Sequence, residues 1–358
     1  MHATNLSASP AHAAVSSRIP RMLMAVLGPL AALGLLLSLQ GCGTTAAATT
    51  SVAGPTPAGA LRIFNAYVTA EKVALANHDE LLALSLLTGS QYNITNAAYT
   101  AASAAGRTVT GFVYGPPTLY VPKLTTYPQW FMATVPERPA TGGATRTALL
   151  VFDRLSAEAT WALSGSVLLN PGTAALQVAT DRAGYATALA TSDPALKLRP
   201  DIVGAVHATV ADDGPSSAAA PIVQPGPQTT GLYQANAAIA RQAAAHQRTY
   251  TWELEGTSYP FFALRTTGGG ALVFYTMTLT TLTVPAKLPP PHSTIELPTI
   301  PVPAAFKGLL PAIQPPIQHQ LSANSTLSYV ALDPAASAKT PAITVIGSGG
   351  GPTYAHGS

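Results

Sequence analysis

The sequence predicts an α+β fold made of two related units, each a helix packed on a bent antiparallel sheet. Three observations predict it. Apolar residues recur near helical spacing early in each half, over Leu61–Ala76 and again over Leu232–His246. Each helical stretch is followed by short β-branched and aromatic runs separated by glycine turns. The order also repeats: Tyr127-Pro128-Gln129-Trp130-Phe131-Met132-Ala133 resembles Tyr259-Pro260-Phe261-Phe262-Ala263, and Ala148–Phe152 answers Ala271–Tyr275 behind a glycine-containing turn in each case. The expected divisions are a leader over 1–41, a flexible stalk over 42–59, a first unit over 60–200, a second unit with a proline-rich insertion over 201–346, and a disordered tail over 347–358.

The first element is an uncharged apolar run from Met22 to Leu39, preceded by Arg18 and Arg21 and by no acidic residue. This is the layout of a secretory signal peptide. The stretch Leu39-Gln40-Gly41-Cys42 that closes it resembles the lipobox of bacterial lipoproteins. That resemblance implies cleavage after Gly41, lipid on Cys42 and residence on the extracytoplasmic face of the cell membrane. The alternative is a retained transmembrane helix, for which eighteen residues is near the lower limit. Either reading tethers the rest of the chain outside the cytoplasm. Cys42 is the only cysteine, so no intramolecular disulfide is available and stability must come from burial.

Gly43–Gly59 is small, polar and proline-interrupted, the composition of a stalk. His78-Asp79-Glu80 breaks the first helix, and Asp79 is placed to cap a second over Leu81–Leu87. Ala97–Ala105 reads as helix stopped by Gly106. Strands are expected over Thr108–Tyr114, Thr118–Val121, Tyr127–Val135, Thr147–Arg154 and Thr160–Leu169. Asp212–Thr230 reads as a connection, followed by the second helix and strands at Thr249–Glu255, Tyr259–Thr266 and Ala271–Val284. Pro285–Pro303 interrupts the unit; an amphipathic helix kinked by prolines is expected over Ala304–Gln320, then strands at Thr326–Leu332 and Ala342–Ile346.

Charge excludes some functions. Of the 358 residues 18 are basic and 15 acidic, and cleavage would remove Arg18 and Arg21. A near-neutral chain with scattered cations offers no electrostatic footprint for nucleic acid. Catalytic motifs are missing as well. No serine stands three residues before any of the six lysines, there is no Gly-x-Ser-x-Gly elbow, and Ser164-Gly165-Ser166 falls inside an expected strand. The histidines are isolated, without the i, i+4 pairing that puts two metal ligands on one helical face. Neither a cofactor nor a metal is implied. Glu253 and Glu255 alternate on a strand and so share a face; they are the acid/base candidates for an exported hydrolase, or simply its solvent side.

Six aromatics, Tyr127, Trp130, Phe131, Tyr259, Phe261 and Phe262, are the candidate binding or packing residues. Adjacent members point to opposite sheet faces, so one of each pair needs cover from the other unit, a partner or a ligand. A helix on a bent antiparallel sheet resembles the NTF2-like and cystatin-like folds. The lipobox, the Ala/Thr-rich stalk and the Tyr-Pro-Gln-Trp-Phe string resemble uncharacterised lipoproteins of actinobacteria, a resemblance that carries no catalytic residues. The reading is a membrane-anchored binding or interaction lipoprotein, its partners the membrane through Cys42 and a protein or small apolar ligand. The alternatives are the hydrolase and an envelope assembly factor.

Overall fold

Strand pairing sets the architecture. The computed structural model describes residues 52–288, 290, 296–339 and 343–358. The apolar run and Cys42 lie outside the described residues. Three helices come first: α1 (Pro57–Ala76), α2 (Glu80–Ser85) and α3 (Gly89–Ala104). Strands β1 (Phe112–Tyr114), β2 (Thr118–Tyr120), β3 (Gln129–Pro139), β4 (Arg146–Arg154) and β5 (Ala162–Leu169) complete the first lobe. The second lobe has α4 (Val203–Asp213), α5 (Thr230–Ala245), β6 (Arg248–Gly256), β7 (Phe262–Arg265), β8 (Ala271–Pro285), β9 (Leu321–Asp333) and β10 (Thr344–Gly357). This is an α+β protein.

Among the described residues ten strands form one sheet in the order β1-β3-β4-β5-β10-β9-β8-β6, with β2 also beside β3 and β7 beside β8. Read outward from the β5/β10 seam, both lobes have the same strand order. The seam is short, pairing Gly347 with Leu169 and Ser348 with Leu168. Glycine is required there: a Cβ on Gly349 would stand 2.2 Å from the Ser166 carbonyl oxygen.

The aromatic strings that suggested a duplication fall on non-equivalent strands. Trp130 and Phe131 open β3, whereas Phe262 opens β7, which occupies the place of β2. Ala148–Phe152 lies in β4, whereas Ala271–Tyr275 opens β8, the counterpart of β3. The strings agree because any buried hairpin needs a strand entry, a glycine turn and an apolar return. The lobes share strand order, and the string does not mark it.

Three apolar layers hold the sheet. Phe64 and Tyr67 of α1 pack on Phe131, Leu150 and Phe152 on the outer face of the first lobe. Val203 and Ala211 of α4 pack on Val273, Tyr275 and Tyr329 on the outer face of the second. Between them a central core joins Trp130, Met132 and Leu149 to Phe262, Leu264 and Phe274, with Ala186, Leu176 and Val178 added by the segment that links the lobes. Trp130 and Phe262 meet at 5.2 Å between ring centroids. Each fully buried side chain of this size contributes roughly 1.5–3 kcal/mol.

The chain ends of α1 and α2 follow local chemistry. Thr56 accepts the Gly59 N–H at 3.0 Å with Pro57 in the first turn, and Asp79 accepts the Leu82 N–H at 2.9 Å. Gly106 takes φ 62° just past α3, as a helix stop requires. Elsewhere the expected elements are corrected. Residues 347–358, expected as a disordered tail, lie mostly within β10, because paired backbone along β9 holds a strand that composition alone cannot. The stalk expected to run to residue 59 ends sooner: Val52 and Gly54 donate to Thr125 and Leu124 carbonyls, and α1 begins at Pro57. Ala304–Leu309 is a 3-10 helix, not a long amphipathic one, since Pro311, Pro315 and Pro316 remove donors beyond it. Helix α4 occupies residues expected as unit boundary and connection.

Candidate functional site

Beneath α5 the outer face of the second lobe changes character. Near the lobe centre it carries Tyr275, Met277 and Tyr329. Farther along the same strands the residues on that face shrink to Thr281 and Thr283 of β8, set opposite Ala323 and Leu321 of β9. Thr281, Thr283, Ala323 and Ser325 leave space between Leu279 and Leu321. Ile239 and Ala243 of α5 form one wall, and the 300–303 segment with Phe306 covers it. The resulting groove holds about 760 Å³, within the ~300–1,000 Å³ usual for small-molecule sites.

The cover is pinned rather than loose. The Ile300 N–H donates to the Ile317 carbonyl at 2.6 Å, and Ile300, Ile317 and Leu321 form a small buried core. The Gln318, His319 and Gln320 N–H groups converge on the Ser358 carbonyl at 3.0, 2.7 and 3.2 Å. One end of the groove is polar. Tyr250 donates to Asn236 Oδ1 at 2.8 Å, which ties β6 to α5, and burial pushes the phenol up to about 12. Arg248 donates from Nη2 to the Thr299 carbonyl at 2.8 Å.

In the first lobe the polar contact between helix α1 and edge strand β1 is closed. Tyr67 donates to Glu71 Oε1 at 3.0 Å, and Tyr114 of β1 reaches the same oxygen at 3.5 Å. Burial pushes the Glu71 carboxyl up to about 7, against the opposing pull of both tyrosine hydroxyls. Burial likewise lifts Glu137 to about 7, partly offset by Arg146, its cross-strand partner.

Two further buried polar groups were not foreseen. His207 accepts from or donates to Tyr275 through Nδ1 at 2.9 Å and meets the Gln228 carbonyl through Nε2 at 2.7 Å. A carbonyl only accepts, so Nε2 carries the proton and Nδ1 accepts from Tyr275. Burial lowers the histidine to about 4. Where α3 meets the sheet, Thr276, Ser328 and Ser90 share hydrogen bonds of 3.0 to 3.4 Å, and Ser90 donates to the Ser164 carbonyl at 3.1 Å. Among the described residues these bonds reach no histidine, lysine or carboxylate, so this hydroxyl cluster has no base to activate it.

The residues expected from sequence do not gather at one site. Trp130 and Phe262 enter the central core, Phe131 lies under α1, and Phe261 packs against the outer core of the second lobe. Each adjacent pair is therefore covered from within the protein. Tyr127 lies under the Arg154 guanidinium at 5.6 Å, and Tyr259 bonds to Asn93. Glu253 and Glu255 are exposed on β6, while Trp252 and Leu254 turn inward. Beside them Asp212 accepts the Leu254 N–H at 3.0 Å, its carboxyl raised to about 6 chiefly by burial. Among the described residues no group of three or more His, Cys, Asp or Glu is arranged to hold a metal ion, and no helix is long and apolar enough to cross a membrane. No spacing along the chain marked the groove, whose floor is set by Thr281, Thr283, Ala323 and Ser325 on adjacent strands.

Fold and site together define a two-lobed α+β protein with an open groove beneath α5. The chain belongs to the family described as a domain of unknown function, DUF8094, whose model matches residues 54–357. It is 27% identical over 249 residues to an uncharacterised lipoprotein of Streptomyces avermitilis, covering 68% of this chain and 72% of that one. It is 29% identical over 156 residues to an uncharacterised lipoprotein of Streptomyces coelicolor, covering 44% of this chain and 45% of the relative. The family is thus one of uncharacterised actinobacterial lipoproteins. No solved structure matches the chain.

Proposed function

We propose that this protein is a binding lipoprotein, held by lipid on Cys42 at the extracytoplasmic face of the cell membrane, which receives a small apolar ligand in the groove beneath α5. The groove carries the reading: about 760 Å³ of space walled by Ile239, Leu279, Ile300, Val302 and Phe306, on a floor of small side chains. The lipobox-like Leu39-Gln40-Gly41-Cys42 and the lipoprotein relatives support the anchor. Stable residence needs more than one acyl chain, since a single chain binds a bilayer only marginally. Glu253 lines an open hollow of about 530 Å³ with Asp212 and Asp213, and Glu255 stands outside that lining.

Two measurements test this. Intact mass spectrometry of the protein from its native membrane should find lipid mass on Cys42, absent after Cys42→Ala; an unmodified cysteine removes the anchor. The full-length chain should bind the neutral dye N-phenyl-1-naphthylamine, and Thr283→Phe should abolish that binding while leaving the circular dichroism unchanged. Dye binding that survives Thr283→Phe removes the groove as the site.

A further inference from the structure

The groove is electrically one-sided. Among its described lining residues there is no Asp or Glu, and one guanidinium, Arg248, stands at the β6 end. That guanidinium gives one N–H to Thr299, while its Nε, shielded from water, has no hydrogen-bond partner among the described residues. An anion at this end would meet, through the Nη groups, a cation that forms no ion pair with any carboxylate among the described residues. A second hollow of about 220 Å³ shares Arg248 and adds Lys287, again with no carboxylate in its described lining. Away from this end the walls are apolar, and Leu279 to Thr283 spans four residue steps, roughly 14 Å at ~3.4 Å each.

Resting on the reading of the groove as a ligand site, we propose that its ligand is an anionic amphiphile of fatty-acid type. The acyl chain lies along β8 and β9 under the 300–303 cover, and the carboxylate sits against Arg248 with Lys287 beside it. A carboxylate presents two acceptors in the geometry that a guanidinium fork takes up, and its charge is matched by both cations. A neutral lipid would leave the Arg248 charge to solvent at the rim, and a cationic one would be repelled.

The test uses the full-length chain in nonionic detergent with two photoreactive probes, diazirine palmitic acid and the diazirine hexadecanol of the same chain. Both are given at equal mole fraction in the micelles, at a pH where the acid is ionised, and labelled peptides are mapped by mass spectrometry. The acid should label peptides spanning 236–246 and 297–306 about tenfold more than the alcohol, the ratio worth about 1.4 kcal/mol. Arg248→Gln should bring the acid down to the level of the alcohol, and Arg248→Lys should keep part of the preference. Equal labelling by acid and alcohol on the unaltered chain overturns the anionic head and leaves the groove reading standing. Absence of groove labelling by either probe overturns both. The head-group comparison does not depend on any variant folding.

Discussion

Beneath α1, Phe64 and Tyr67 interlock with Phe131 and Phe152, the last two stacked at 5.0 Å between centroids. Beneath α5, the sheet presents Thr281, Thr283, Ala323 and Ser325. The two lobes share a strand order; the space beneath α1 and beneath α4 is filled, and the space beneath α5 is open. In the first lobe, even the polar mouth is closed by Tyr67, Tyr114 and Glu71 bonding to one another. In the second, the corresponding helix-to-strand bond of Tyr250 to Asn236 stands at the rim of an open groove. The lesson is that topology makes the space and side-chain volume decides whether it becomes core or site. Interiors are packed at crystal-like density, so a persistent gap lined by apolar groups stands out.

The sharpest way to break this contrast is to empty the filled lobe. Phe152→Ala should cost about 3–5 kcal/mol in urea denaturation, because Phe152 is fully buried and in aromatic contact with Phe64, Tyr67 and Phe131. Phe306→Ala, on the cover of the open lobe, should cost under about 1 kcal/mol yet weaken dye binding. Equal stability losses would mean that the groove is packed in solution.

Glu71 and Glu137 should titrate with the opposite sign to His207. Glu71 and Glu137 are raised to about 7 from 4.5, so the folded state favours their protonated forms. Their contribution is complete below the unfolded value and is lost as pH rises through about 7. His207 is lowered to about 4 from 6.5, so its contribution is present above 6.5 and fades as pH falls toward 4. Glu71→Gln should therefore raise stability at pH 8 relative to pH 5 by on the order of 2 kcal/mol, measured by denaturation at both values. His207→Gln should flatten the acid limb alone. A Glu71→Gln variant with the parent's pH profile would show that the first mouth is hydrated.

Smaller effects sharpen the picture. Gly349→Ala should destabilise by roughly 1–3 kcal/mol, since the new methyl meets the Ser166 carbonyl and must open the β5/β10 seam. Hydrogen exchange at Leu168 and Leu169 would report the opening. Tyr250→Phe should cost only about 1 kcal/mol, the net worth of its bond to Asn236, and should speed exchange in α5 without emptying the groove.

Much of the fold was legible because local chemistry forces it. Helical spacing located α1 and Asp79 marked the start of α2, while the Thr56 cap and Pro57 lay inside the expected stalk; the alternation of Glu253 and Glu255 with Trp252 and Leu254 gave the inward face of β6. Trp130 and Phe262 cover each other across the two lobes. The groove was not legible. Its residues come from α5, β6, β8, β9 and the 299–306 segment, and no spacing along the chain reports that they converge. Nor did the glycines of Gly347–Gly351 read as strand; they are tolerated because β5 and β9 supply hydrogen bonds on both sides and leave no room at Gly349 for a side chain.

By itself the sequence determined what depends on neighbours along the chain: helix and strand periodicities, caps and turns, the α+β class and the lipobox-like stretch before Cys42. Tertiary structure alone decided the rest: the single sheet joined at a two-residue seam, the ordering of the last strand, and which helix-roofed space stays open. The physical reason is that hydrogen-bond partners and packing volume across a sheet are set by residues more than a hundred positions apart, as Leu169 and Gly347 are. A chain's local pattern fixes which face is apolar, and only the folded arrangement fixes whether anything fills the space above it.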